Sequence, residues 1–209
     1  SACATSFDAR GRYHKVQHGE NIWVIAKAYR VSVQDLAEIN NVMDGGKIEP
    51  GRKLYIPQRP KGRMMKKLPK AEREKAFDAP IQTDHSKFIW PVNGTIFSNF
   101  GIRNGRRHDG IDIAVKSGTP IKAAADGEVA FSDRLSGYGN TVIIKHAGDF
   151  FTVYGHNQKN AVKKGQAVKK GSLIAYVGAT GNATGSHCHF EIRNGQKARN
   201  PLFFLPVKH

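Results

Sequence analysis

Acidic residues are scarce in this chain of 209 residues: 17 Asp and Glu stand against 33 Lys and Arg, a formal net charge of +16. So large a basic surplus draws a protein to anionic surfaces, whether nucleic acid, acidic lipid headgroups or a polyanionic cell wall, and charge alone does not choose among them. Cysteine is nearly missing as well, with only Cys3 and Cys188 present. Their placement argues against a disulfide, because Cys188 lies inside a strand-like run and reads as a small buried apolar residue. No stretch reaches the roughly 18 consecutive apolar residues that a membrane-spanning helix needs. No basic and then apolar signal segment precedes Ser1, so the chain is expected to be either mature or trimmed. What is present is ordinary for globular protein: 39% hydrophobic and 9% aromatic residues provide a core, and the length suits one large domain or two small ones.

Residues 1–12 are short and polar and are expected to be mobile. Between positions 13 and 58 the pattern tightens. YHKV reads as a brief strand, Gly19-Glu20-Asn21 turns the chain, and Ile22, Ile25, Ala26 and Tyr29 follow the spacing of one helix face. Ser32 caps a second helix with Leu36 and Ile39 facing inward, Asn40-Asn41 and Gly45-Gly46 break it, and KLYIP returns as a strand after the Pro50-Gly51 turn. Residues 59–87 are rich in Lys, Arg and Pro with no clear periodicity and read as a basic linker, within which Ala71 to Phe77 has the pattern of two helical turns. Its basic cluster lacks interleaved aromatics, which counts against single-stranded nucleic acid as a partner. From Phe88 to the end, short runs punctuated by glycine (TIFSNF, GIDIAV, PIKAAADGEVAFS, NTVIIKH, FFTVYGH, QAVKKG, LIAYVG, HCHFEIR) predict a mainly β domain of antiparallel sheets.

The richest stretch is GATGNATGSHCHFEIR, Gly178 to Arg193. Alternation along a strand puts His187 and His189 on one side and Cys188 on the other, so the two imidazoles can share a metal. Alone, such a pair is as well explained by surface histidines on an edge strand. Upstream, RRHDGIDIA adds His108 and Asp112 and FFTVYGHN adds His156, each at a strand end, where loops position chemistry. A catalytic zinc takes three His, Asp or Glu ligands and keeps a fourth position open, and spacing does not say which of these five residues are ligands. His146, at the end of VIIKH, is a rival for which a structural or exposed role is expected. Glu191 shares a face with His187 and His189, either orienting a ligand imidazole or pairing with Arg193.

The ordered trio of His-x-x-x-Asp, Tyr-Gly-His and His-x-His, framed by SNFGIR and NPLFFLP, resembles the zinc peptidases of the lysostaphin or LytM type over residues 88 to 207. The βααβ segment with its GENIW, INN and I-x-P-G-x-K-L-x-I-P cues resembles the LysM module, a small α+β domain. The first resemblance implies Zn2+ held by His108, Asp112 and His189, with His156 and His187 as catalytic base, acid or oxyanion donor. The second implies that Gly19, Glu20, Asn21 and Ile22 in one loop and Ile48, Glu49 and Pro50 in another grip glycan strands. Together they imply a zinc endopeptidase that cuts peptide cross-links of peptidoglycan in the bacterial envelope, periplasmic or extracellular, with glycan strands and stem peptides as partners and no nucleic acid. Some LysM-bearing relatives have lost zinc residues and act as activators of amidases, so a non-enzymatic wall-binding regulator is the alternative; here all five positions are filled. Cys3, after Ser-Ala, reads either as the end of a bacterial lipobox, where a lipid would tether the protein to a membrane, or as a leftover of a flexible start.

Overall fold

The computed structural model describes residues 12–43, 47–57, 79–103 and 105–207. The start of the chain with Cys3, and the Ala71 to Phe77 segment of the linker, lie outside the described residues. Two compact units emerge: one holds the described residues up to Thr83 together with Gly101–His108, the other Asp84–Phe100 and Asp109 onward. No helix among the described residues is long and apolar enough to cross a membrane.

In the first unit, β1 (Arg12–Lys15) is followed by α1 (Ile22–Tyr29), α2 (Val33–Ile39) and β2 (Lys53–Ile56). Both helices start where expected. The Asn21 side chain accepts from Val24 N and the Ser32 hydroxyl from Asp35 N, satisfying backbone donors that an α-helix leaves open at its start. Arg30 ends α1 in the left-handed region, with its N–H on the carbonyls of Ala26 and Lys27. Ile22, Ile25, Ala26, Leu36 and Ile39 turn inward against Leu54 and Ile56, and all are buried. β1 and β2 pair antiparallel, Arg12 opposite Ile56 and Lys15 opposite Lys53. Asn40, expected only to break the helix, does more: its Nδ2 donates to the carbonyls of Leu36 (2.8 Å) and Tyr55 (2.9 Å), and its Oδ1 accepts from Tyr55 N (2.7 Å). One side chain thereby ties the end of α2 to β2.

The remaining strands are β3 (Thr95–Ser98), the hairpin β4 (Gly101–Arg103) and β5 (Arg106–His108), β6 (Ile111–Ala114), β7 (Pro120–Lys122), β8 (Gly127–Leu135), β9 (Gly139–Lys145), β10 (Phe150–Asn157), β11 (Lys159–Asn160), β12 (Ala167–Val168), β13 (Leu173–Tyr176), β14 (His187–Asn194) and β15 (Lys197–Arg199). All pairings are antiparallel, as the alternating runs predict. The hairpin β4–β5 was not legible as strands, since its residues carry three arginines and no apolar alternation. In the second unit one sheet runs β12-β8-β9-β10-β14-β6-β3 with β15 beside β14, and a smaller one runs β11-β13-β7.

β14 lies between β10 and β6 and has something to bury on both faces. Cys188, Phe190 and Ile192 join Ile111, Ile113, Val142, Ile144 and Tyr154 in the core. Burial pushes the Cys188 thiol up to about 12, so it remains an inert apolar filler. The opposite face carries His187, His189 and Glu191, also buried.

Candidate metal centre and its catalytic neighbours

Register assembles the site. His189 on β14 stands opposite Asp112 on β6 and Gly155 on β10, and directly opposed residues share a face of an antiparallel pair. His108, four positions before Asp112, reaches the same point, and one ligand atom each from His108, Asp112 and His189 lies within 4.8 Å of the others. All three side chains are buried. A tetrahedral zinc with bonds near 2.0–2.1 Å separates its ligand atoms by about 3.3 Å, so the donor set fits with small adjustments. Two glycines make room. A Cβ on Gly110 would meet the Phe190 carbonyl at 2.4 Å and the His189 ring at 3.0 Å, and one on Gly155 would press on Tyr138 at 3.2 Å. The glycine inside His-Asp-Gly-Ile-Asp therefore lets His108 and Asp112 close onto β14.

The His189 ring is held at both nitrogens: Nδ1 lies 2.8 Å from Asp112 Oδ1 and Nε2 3.1 Å from Glu191 Oε1. Burial opposes a charged imidazole, but the two carboxylates outweigh it and raise its pKa to about 9. Two carboxylates thus flank one buried imidazole, a negative setting that favours a cation, and an ion held there would replace the ring proton. Glu191 is fully buried and engaged three times, accepting from His189, from the Tyr138 hydroxyl (2.7 Å) and from Arg193 Nη1 (2.6 Å). Burial would raise its pKa, yet the His189 hydrogen bond and the nearby charges bring it to about 2. Glu191 thus pairs with Arg193 as one reading from sequence had it, though buried and not at the surface, and it also bonds the His189 ring.

His156 and His187 flank this centre. A β-bulge between Tyr154 and Asn157 in the β9–β10 pairing puts His156 in the left-handed region at φ 61°, turning its ring toward β14. Its Nδ1 lies 2.7 Å from the Thr180 carbonyl, and His187 Nδ1 lies 2.8 Å from the Gly185 carbonyl. A carbonyl only accepts, so each Nδ1 carries a proton and each Nε2 points away from that carbonyl. The two rings are 4.7 Å apart, and His187 Nε2 is 3.8 Å from Asp112 Oδ1. Burial first, offset by the Thr180 bond, lowers the His156 pKa and keeps it neutral. The Gly178–Ser186 loop thus supplies backbone acceptors that fix two tautomers, a role hidden in sequence because backbone does the work. Tyr138, missed from sequence, packs edge-on against His189 at 5.3 Å; its one signal was an aromatic between the glycines of Ser-Gly-Tyr-Gly. His146 stands apart, buried, with Nδ1 donating to Asp126 O and Nε2 on the Thr152 hydroxyl, both at 2.7 Å. Its role is structural, and it is not exposed.

The expected glycan loops spring from one end of the β1–β2 ribbon, where Val16 N bonds Arg52 O and Gly51 N bonds Val16 O. Gly19 takes φ 83° in its turn, and Glu20 Oε2 accepts from Gln17 N and pairs with His14 Nε2, both at 2.7 Å. Asn21 caps α1, and Ile22 lies wholly in the core, so its side chain faces no ligand. In the other loop Ile48 is half-buried while Glu49 and Pro50 are exposed.

Residues 106–201 match Peptidase family M23, and residues 14–57 match the LysM domain. The uncharacterized lipoprotein YgeR of Escherichia coli is 32% identical over 207 residues, which cover 94% of this chain and 82% of that protein. The murein hydrolase activator NlpD of Salmonella dublin is 44% identical over 131 residues, 62% of this chain but only 33% of the relative. Among solved structures, a zinc containing peptidase from Vibrio cholerae aligns with a TM-score of 0.52 at 35% identity, covering 56% of this chain and 39% of that one.

Proposed function

Because the chain belongs to peptidase family M23, in a LysM-bearing branch that includes lipoprotein YgeR, we propose that it is a zinc-dependent endopeptidase of the bacterial envelope that hydrolyses peptide cross-links of peptidoglycan. The observation that carries this reading is the joint placement of a His-Asp-His donor set within 4.8 Å and two imidazoles beside it, each with Nδ1 on a backbone carbonyl. His108, Asp112 and His189 would hold a zinc ion, which when bound would supply Lewis acidity to the reaction. The chain's own groups do the rest. Nε2 of His156 or His187 takes a proton from water and returns it to the leaving amine, while the ring that gains charge donates to the oxyanion. Glu191 orients His189 from behind, itself fixed by Tyr138 and Arg193.

Residues 13–58 form the wall-gripping module, with glycan held by the loops of Gly19, Glu20, Asn21 and Ile22 and of Ile48, Glu49 and Pro50; residues 59–87 link it to the peptidase domain of 88–209. A lipid on Cys3 anchors the protein, in keeping with the lipoprotein name of YgeR. A second reading is favoured by NlpD, named an activator and 44% identical across the matched region: the same groove engages another murein hydrolase and switches it on. Digestion of purified sacculi, with and without chelator, separates the two. New amino termini within cross-links that vanish with chelator identify the peptidase. Intact peptides, with products appearing only when an amidase is added, identify the activator.

A further inference from the structure

Phe97 is an exposed aromatic where an exposed aromatic needs a reason. Its side chain is 56% exposed, yet the ring packs edge-on against His187 with centroids 5.4 Å apart and planes at 87°. β3 is the outermost strand of the large sheet, and its pairing with β6 slips at this residue: Ile96 stands opposite Ile113 and Ser98 opposite Asp112, leaving Phe97 as the extra residue of a β-bulge. A bulge costs a place in the ladder and re-aims a side chain, and such irregularities concentrate beside active sites. Period-2 alternation from Ile96, which stands opposite the core residue Ile113, puts Phe97 on the face of Asp112 and His187, and the bulge turns Ser98 to that face as well. A stray surface Phe is unremarkable; one held on the site face against the His187 ring, one residue from the partner of Asp112, is not.

We propose that Phe97 is a specificity-determining residue, forming the apolar wall for the substrate residue next to the attacked bond and favouring a methyl-bearing residue such as alanine there. This rests on the peptidase reading above. An extended peptide advances about 3.3–3.6 Å per residue, so a side chain one residue from a carbonyl held beside His187 reaches a ring centred 5.4 Å away. A methyl group buries against the open part of that ring, whereas a charged side chain would be desolvated without a partner.

The test uses the full chain loaded with zinc, a cross-linked muropeptide with alanine beside the cleaved bond, and its glycine analogue. Both are also prepared as reduced-amide isosteres, so that binding is read by calorimetry without turnover. The wild type favours the alanine substrate in kcat/KM by about tenfold or more, the range one methyl commands in an apolar site. Phe97→Ala brings the ratio near one, mainly through KM, with zinc content unchanged; Phe97→Leu keeps most of the preference. An unchanged ratio in Phe97→Ala overturns the proposal. So does an equal fall in kcat on both substrates with a displaced pH profile, which would make the ring a support for His187. If the wild type cleaves neither peptide, the peptidase reading fails while the isosteres still decide: methyl-dependent affinity that Phe97→Ala abolishes upholds the apolar wall, and affinity blind to the methyl removes it.

Discussion

Glu191→Gln isolates what the second carboxylate behind the metal centre does. Glutamine has nearly the same shape, and its carbonyl oxygen still accepts from His189 Nε2 and the Tyr138 hydroxyl, which now lie 3.1 and 2.7 Å from Glu191 Oε1. Charge is what disappears, together with the charge-assisted bond at 2.6 Å from Arg193. His189, with a metal at Nδ1, then has a neutral amide in place of a carboxylate behind its Nε2–H. Partners of this kind behind a ligand histidine typically contribute 10 to 100-fold in metal affinity, about 1.4 to 2.7 kcal/mol. Competition with a chromophoric chelator measures that directly, and the expected zinc Kd rises within this range while saturated kcat changes little. Glu191→Ala is the harsher control, since removing one member of a buried ion pair costs about 3–5 kcal/mol of stability. A Glu191→Gln protein that binds zinc as tightly as the wild type would refute the orienting role and leave Glu191 as the counter-ion of Arg193 only.

Three further outcomes follow from particular contacts. His189→Ala loses zinc and activity together, whereas His187→Ala and His156→Ala retain about one zinc per chain and lose 10² to 10⁴-fold in kcat; a metal-free His187 variant with a metal-bound His189 variant would reverse the assignment. Asn40→Ala removes three hydrogen bonds, two to Tyr55 of β2 and one to the Leu36 carbonyl of α2, and at about 0.5–1.5 kcal/mol each the loss should lower the melting temperature of the first unit by several degrees; an unmoved transition would show the ties to be dispensable. Burial holds the pKa of His146 below its ordinary 6.5 despite the Asp126 bond, so the folded state resists a proton that the unfolded chain accepts. Stability therefore falls as pH drops from 6.5 toward the lowered value and levels off beneath it, and His146→Gln should flatten that portion of a melting-temperature profile.

Much of this molecule was legible in its residues, and the division between read and unread follows the physics of each element. Helix periodicity, the Gly19-Glu20-Asn21 turn and the cap at Ser32 announced α1 and α2, and alternation around His187, Cys188 and His189 announced both faces of β14. The burial of Cys188 needed only strand geometry, whereas grouping His108, Asp112 and His189 out of five candidates came from the family resemblance. The β4–β5 hairpin was passed over because no apolar alternation marks its strands, although the Asn104-Gly105 dipeptide between them is a strong hairpin-turn signal. Tyr138 and the carbonyls of Thr180 and Gly185 were not readable, since their roles depend on where loops close in space.

The deeper reason is that side chains reach this centre by two kinds of backbone. His187, His189 and Glu191 arrive in step, at alternate positions of one strand, and Asp112 meets them by cross-strand register. Sequence pattern sees such residues because the period is 2. His156 arrives out of step, on a bulge between β9 and β10, whereas Phe97 keeps the face that alternation gives it and the bulge between β3 and β6 turns Ser98 there instead. A bulge breaks the very periodicity by which a strand is read, so its side chain appears on the wrong face until the pairing is known. His156 was recoverable only because a histidine after Tyr-Gly is chemically conspicuous, and Phe97 passed as one more apolar residue of a strand. Side chains on regular strand are thus read from period alone, whereas a side chain carried by a bulge is placed only by the pairing that the bulge interrupts.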